Sequence, residues 1–220
     1  KPTIPIRCST KFLFLIIFLA SCQTKEIQIE HKGCPENQQT CELAEENNAK
    51  VFEKANQVIT EVADYGQAKG FLAKPSKEDN YPGIIMIHEW WGLNDNIKEM
   101  AKQLAKEGYI VLAVDLYDGQ VATDASEASK LVQKAMQSQP KLVSNMKSAV
   151  AYLKSLNATK IGSMGWCFGG GQSLQLALNE KMDATVIYYG HLTYNKEDLA
   201  KLNWPVLGIF GEKDQSVKAE

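Results

Sequence analysis

Residues 160–171 read Lys160-Ile161-Gly162-Ser163-Met164-Gly165-Trp166-Cys167-Phe168-Gly169-Gly170-Gly171, and a helix-like segment from Gln172 to Asn179 follows. An apolar run feeds a glycine-rich turn, and the turn carries one reactive side chain. This is the pattern of a nucleophile elbow with Cys in place of Ser. A side chain at such an apex sits on strained backbone, and flanking Cβ atoms would collide with the neighbouring strand and helix. Gly165 and Gly169 remove those atoms. A helix N-terminus directly behind Cys167 favours its thiolate, so the thiol is expected to be more acidic than a free one. Taken alone, the stretch also fits a glycine-rich turn around a buried structural Cys.

The surroundings of the elbow alternate between two periods. Gly83 to His88 and Tyr109 to Val114 are short apolar runs, as in strands buried on both faces. Between them Ile97, Met100, Ala101, Leu104 and Ala105 recur at helical spacing, and Gly108 is a stop. Asp124 with Glu127 three residues on opens a second helix carrying Leu131, Val132, Ala135 and Met136. Pro140 suits a first helical turn, and Leu142, Val143, Met146, Ala149, Val150 and Leu153 form the stripe of a third. Ala184 to Tyr189 and Val206 to Phe210 read as further strands, and Val51 to Val62 as a helix. The alternation predicts an α/β fold, a mostly parallel sheet flanked by helices. In such sheets functional groups gather at the carboxyl ends of strands. His88-Glu89, Asp115, Cys167, Tyr189-Gly190-His191 and Asp214 should therefore share one rim.

A second stretch, Tyr81-Pro82-Gly83-Ile84-Ile85-Met86-Ile87-His88-Glu89-Trp90-Trp91-Gly92, joins the elbow in a recognisable combination. With the acid-bearing loop Gly211-Glu212-Lys213-Asp214-Gln215-Ser216-Val217, the chain resembles the dienelactone hydrolase family of the α/β-hydrolase superfamily. Lesser matches are Gly70-Phe71-Leu72-Ala73-Lys74-Pro75, Gly108-Tyr109 with Asp115-Leu116-Tyr117, and Tyr188-Tyr189-Gly190, in the expected order from about Gly66 onward. The resemblance implies an α/β-hydrolase fold over residues 51–220 and hydrolysis of carboxylic esters or lactones. By resemblance, Cys167 is the nucleophile and Asp214 the acid that orients a His. Glu89 contacts the resting thiol and takes part in switching it to thiolate. The backbone N–H groups of Phe168 and Trp90 form the oxyanion hole. Trp90 and Trp91 read as pocket wall and His88 as a structural histidine.

In α/β-hydrolases the catalytic His follows the acid, yet His31, His88 and His191 all precede Asp214, and the sequence stops six residues later at Glu220. The expectation is a chain truncated at its C-terminus, lacking the catalytic His and the closing elements of the fold, and inactive as written. His191 is the weaker alternative for the base. The only arginine is Arg7. By resemblance, family members that act on anionic lactones hold the substrate carboxylate with arginines, a task lysines suit less well, so the substrate is read no more finely than a small-molecule ester or lactone. No phosphate loop, dinucleotide fingerprint or metal cluster is evident, and neither a cofactor nor a metal is expected. A Cys-dependent acyltransferase and a non-catalytic binding lipoprotein on the same fold remain the alternatives.

The other end of the sequence reads as an address. Lys1, Arg7 and Lys11 precede nine apolar residues, Phe12 to Ala20. That run is too short to span a bilayer and suits a signal peptide. Leu19-Ala20-Ser21-Cys22 resembles a lipobox, the bacterial lipoprotein signal cleaved before a Cys that becomes acylated. Residues 1–21 are thus expected to be a signal and 22–50 a polar tether. The protein is expected to be exported and anchored in the cell envelope through lipid on Cys22, facing the periplasm. Cleavage leaves 21 basic and 26 acidic residues, a net charge of −5, which argues against nucleic-acid binding. Cys34 and Cys41 are candidates for a small disulfide loop in an oxidising compartment.

Overall fold

The computed structural model describes residues 57–217, apart from 193 and 216. The signal, the tether, Cys22 and the Cys34–Cys41 pair lie outside the described residues. Seven strands form one sheet: β1 (Val58–Asp64), β2 (Lys69–Pro75), β3 (Gly83–Ile87), β4 (Ile110–Val114), β5 (Ile161–Trp166), β6 (Ala184–Tyr188) and β7 (Val206–Ile209). Their order is β1-β2-β4-β3-β5-β6-β7. The pairs from β4 to β7 are all parallel, whereas β1–β2 and β2–β4 are antiparallel. The helices are α1 (Asp95–Lys106), α2 (Ala125–Met136), α3 (Gln139–Ser155), α4 (Phe168–Asn179) and the short α5 (Lys196–Leu199).

Every residue of β3, β4 and β5 is buried. These are the apolar runs of the sequence, and helices on both faces of a parallel sheet explain why they do not alternate. Leu72, Ile85, Met86, Ile87, Leu112, Met146 and Leu153 are among the largest fully buried side chains, each contributing roughly 1.5–3 kcal/mol of burial. Helix ends fall where local chemistry puts them. Asn94 caps α1 by accepting from the Ile97 N–H, and Asp124 caps α2 by accepting from the Glu127 N–H. Past α1, Gly108 takes φ 89°, the left-handed turn that stops a helix.

One element differs from the sequence reading. The helix expected over Val51 to Val62 is contradicted by β1, which begins at Val58 and pairs in register with β2, Val62 opposite Phe71. Val58, Ile59, Thr60 and Val62 are β-branched and lose rotamer freedom in a helix. Tertiary pairing with β2 decides the case. The strand is mostly exposed, so it lacks the apolar signature of the central strands.

The chain runs from β3 to β4 on one side, then returns to β5 on the other side of β3. That reversal is a topological switch point at the carboxyl ends of β3 and β5, the place where open α/β sheets bind ligands.

Candidate active site

Cys167 sits between β5 and α4 with φ 54° and ψ −117°. A non-glycine residue there costs about 1–3 kcal/mol and persists only where its surroundings enforce it. The enforcement is visible. The Cys167 N–H donates to the Tyr188 carbonyl at 3.0 Å, and the Cys167 carbonyl accepts from the Gly171 N–H at 3.2 Å. A Cβ at Gly165 would overlap the Gly169 backbone, and one at Gly169 would overlap the carbonyl oxygens of Ile87 and His88. The N-terminus of α4 is thus pressed directly against the end of β3. Its helix begins at Phe168, four residues earlier than the composition suggested, because the glycines serve close packing.

This packing gathers groups from four loops around one thiol. Cys167 is half-buried and free. Burial pushes its pKa up. The backbone N–H of Phe168 opposes that rise, and the carboxylates of Glu89 and Asp214 add to it. The expectation of a thiol more acidic than a free one is therefore reversed. The helix N-terminus is present, but desolvation and two negative charges outweigh it. No lysine or arginine contributes to the thiol's shift.

Glu89 follows β3 and is half-buried. Its Oε1 accepts a hydrogen bond from the Tyr189 hydroxyl at 3.2 Å. Tyr189 follows β6 and also has a left-handed backbone, φ 37°. Burial, the Glu89 charge, that hydrogen bond and Cys167 push its phenol up to about 12. Asp214 follows β7, closes its own turn through its N–H to the Gly211 carbonyl, and accepts from the Val217 N–H. Trp90 and Trp91 are half-buried against the core, with ring centroids 4.9 Å apart. Asp115, placed on the rim by the sequence, builds a turn instead, its carboxylate accepting from the Tyr117 and Gly119 N–H groups.

The histidines separate clearly. His191 is exposed on the loop after β6. His88 is fully buried. Its Nε2 accepts from the Leu116 N–H at 3.2 Å, so its Nδ1 is the protonated nitrogen that donates to the Glu89 carbonyl at 2.6 Å. Burial holds its pKa below the ordinary histidine value. His88 is therefore a neutral brace between the loops after β3 and β4, and both nitrogens are occupied. A linkage prediction follows. The unfolded chain protonates this imidazole below about pH 6.5 and the folded chain does not. Stability is thus complete above that value and falls as pH drops below it, by up to about 1.4 kcal/mol per pH unit. Urea midpoints between pH 7 and 5 should show this slope in the parent chain. His88→Gln, which retains a donor and an acceptor, should lose it; an identical slope in both would refute the assignment.

Sequence reading gave no role to two side chains. Tyr189 was placed on the rim with Gly190 and His191 but without a partner, and Tyr117 appeared only as a family match. The Tyr117 hydroxyl is buried without a hydrogen-bond partner among the described residues. Its ring lies 4.6 Å from His88 and 5.5 Å from Phe168. Burial, and then the charge of an ionised Cys167, hold its proton in place. A tyrosine followed by a turn is unremarkable in sequence, so no local signal marks either residue.

The comparisons with known proteins agree with this geometry. The sequence model of the dienelactone hydrolase family matches residues 68–220. A protein of Saccharolobus solfataricus named "Putative carboxymethylenebutenolidase" is 30% identical over 194 residues, covering 71% of this chain and 75% of its own. Protein usf of Aquifex pyrophilus is 34% identical over 160 residues, covering 69% of this chain and 68% of its own. A solved dienelactone hydrolase-like promiscuous phosphotriesterase from metagenomic libraries has a TM-score of 0.65 at 26% identity, over 74% of this chain and 72% of that one. A mixed seven-stranded sheet flanked by helices, with a strained apex at its switch point and a family match from Ala68 onward, leads to one assignment: this chain belongs to the dienelactone hydrolase family, hydrolases built on the α/β-hydrolase fold.

Proposed function

We propose that the protein hydrolyses small carboxylic esters or lactones through a thioester on Cys167. The observation that carries this reading is the strained apex itself. Cys167 is held at φ 54° at the carboxyl end of β5, beside the switch point of the sheet, with the Phe168 N–H beside its sulfur. In the proposed reaction, Sγ attacks the carbonyl carbon and the thiol proton passes to a base. Negative charge on the carbonyl oxygen is taken up by the N–H groups of Phe168 and Trp90. The tetrahedral species collapses and the alcohol leaves with a proton. Water then attacks the thioester, releasing the carboxylic acid and regenerating the thiol. Glu89 is assigned as the acceptor of the thiol proton. Asp214 orients the imidazole base, which the family order puts after the acid.

The raised pKa of Cys167 fits this cycle. The thiol stays protonated at rest, and the nucleophile forms only when a bound carbonyl completes the site. The names of several relatives point to a lactone bearing a carboxymethylene group. Residues 68–220 contain no arginine to fork such a carboxylate, so neutral esters and lactones are the class proposed. The test is covalent trapping. Incubation with p-nitrophenyl acetate, acid quench and peptide mass analysis should find the acetyl group on Cys167. An adduct elsewhere, or none, would reject the assignment.

The same reading places the protein at a membrane surface through lipid on Cys22, exported and facing the periplasm. Leu19-Ala20-Ser21-Cys22 supports this. Several acyl chains hold firmly where one does not. Expressed with its native start in a bacterial host, the protein should incorporate labelled palmitate and fractionate with membranes, and Cys22→Ser should lose both. A soluble, unlabelled parent product would refute the anchor.

A further inference from the structure

The hydrogen bond between Tyr189 and Glu89 joins residues one hundred positions apart and has no part in the reaction as written above. Its geometry is unusually constrained. Tyr189 is one of four described non-glycine residues with positive φ. Its N–H donates to the Ile209 carbonyl at 2.7 Å, which ties it to the end of β7. The next residue, Gly190, has no room for a Cβ against the backbone of Gly170 and Gly171 in α4. The ring is therefore aimed by backbone that two strand ends and α4 impose. A residue with a strained backbone at a site mouth calls for an explanation in function.

Two further facts give one. The phenol's pKa is pushed up to about 12, so it remains a donor at neutral pH. Glu89 stands on a loop, with two carboxylate oxygens and a charge that reaches Cys167. Tyr189 engages Oε1, and a carboxylate held through one oxygen has less freedom to swing to solvent.

We propose that Tyr189 is a positioning residue: its hydroxyl fixes the Glu89 carboxylate beside Cys167, and the coupling between carboxylate and thiol depends on that bond. This rests on Cys167 being the nucleophile, but its test reads the thiol and not turnover. The groups facing Cys167 are Glu89 after β3, Tyr117 after β4, Tyr189 after β6 and Asp214 after β7. Tyr189 also faces Tyr188. His88 is neutral and bonded on both nitrogens, and His191 is exposed on the loop that carries Tyr189.

The experiment is a double-mutant cycle on the alkylation of Cys167. Rates with iodoacetamide are followed from pH 6 to 10 on the Cys167 peptide by mass analysis, so the other cysteines do not interfere. Glu89→Gln removes a negative charge next to the thiol and should speed alkylation at pH 7 by about tenfold, one unit of thiol acidity. In the Tyr189→Phe background the same change should give less than about threefold, because the carboxylate is no longer held. Glu89→Asp keeps the charge but withdraws it from the phenol. It should reproduce the Tyr189→Phe profile, and adding Tyr189→Phe to it should change nothing further. Equal Glu89→Gln effects in the two tyrosine backgrounds, or full additivity of Glu89→Asp with Tyr189→Phe, would overturn the proposal. Coupling without acetyl transfer from p-nitrophenyl acetate would leave Tyr189 in its role and reject the esterase reading. Acetyl transfer without coupling would do the reverse.

Discussion

Cys167→Ala should leave no acetyl adduct and should lower p-nitrophenyl ester turnover on the order of 10⁴-fold or more. The size follows from what is removed. Without a sulfur there is no thioester, and the oxyanion donors alone leave only the residual rate of positioning and charge stabilisation. The substitution deletes one atom at a half-buried position, and Ala meets the same backbone requirement as Cys. The fold should therefore persist, with an unfolding midpoint near that of the parent. Cys167→Ser separates nucleophile identity from site geometry. The hydroxyl occupies the same apex but is far harder to ionise beside Glu89 and Asp214, so it should acylate much more slowly than the parent. Turnover in Cys167→Ala within a few fold of the parent would show that the thiol is structural, and the elbow would then be only a tight turn.

Gly169→Ala should be among the most damaging single methyl groups in the described fold. The added carbon would overlap two backbone carbonyl oxygens, those of Ile87 and His88. Neither can rotate away as a side chain would, because both belong to the end of the central strand. Overpacking in cores costs about 1–3 kcal/mol where side chains can yield, so a cost of about 3 kcal/mol or more is expected. For a domain of this size that lowers the thermal midpoint by roughly 6–12 °C. Relief can come only from moving α4 away from β3. That displaces the Phe168 N–H and the Cys167 apex together, so acetylation of Cys167 should fall along with stability. Gly119→Ala is the control, since a Cβ at Gly119 meets nothing within 4 Å. It has φ 86° and carries only the backbone cost of that conformation, about 1 kcal/mol. A Gly169→Ala protein as stable as the parent would mean that α4 does not pack as described.

The sequence by itself determined everything carried by short-range pattern. Central strands buried on both faces must be continuous apolar runs, and Gly83 to Ile87, Ile110 to Val114 and Ile161 to Trp166 are such runs. Caps are local chemistry, so Asp124 with Glu127 and the stop at Gly108 were legible from neighbours three or four residues apart. The elbow was legible in part for the same reason: Gly165 is demanded by a contact four residues on, with Gly169, whereas Gly169 is demanded by the end of β3 and Gly170 by the end of β6. Family resemblance then named Cys167, Glu89 and Asp214. Whatever depends on distance through space was not legible. The β1 strand is set by its pairing with β2, and its half-exposed residues hold no pattern that excludes a helix. The sign of the Cys167 shift depends on how many groups the fold brings to one sulfur. The helix terminus is visible in sequence, whereas burial and the approach of two carboxylates from separate loops are not. Tyr189 reaches Glu89 across one hundred residues only because β6 lies next to β5 and β5 next to β3 in the sheet. Strand order is settled by the packing of whole layers, and no window of sequence contains it.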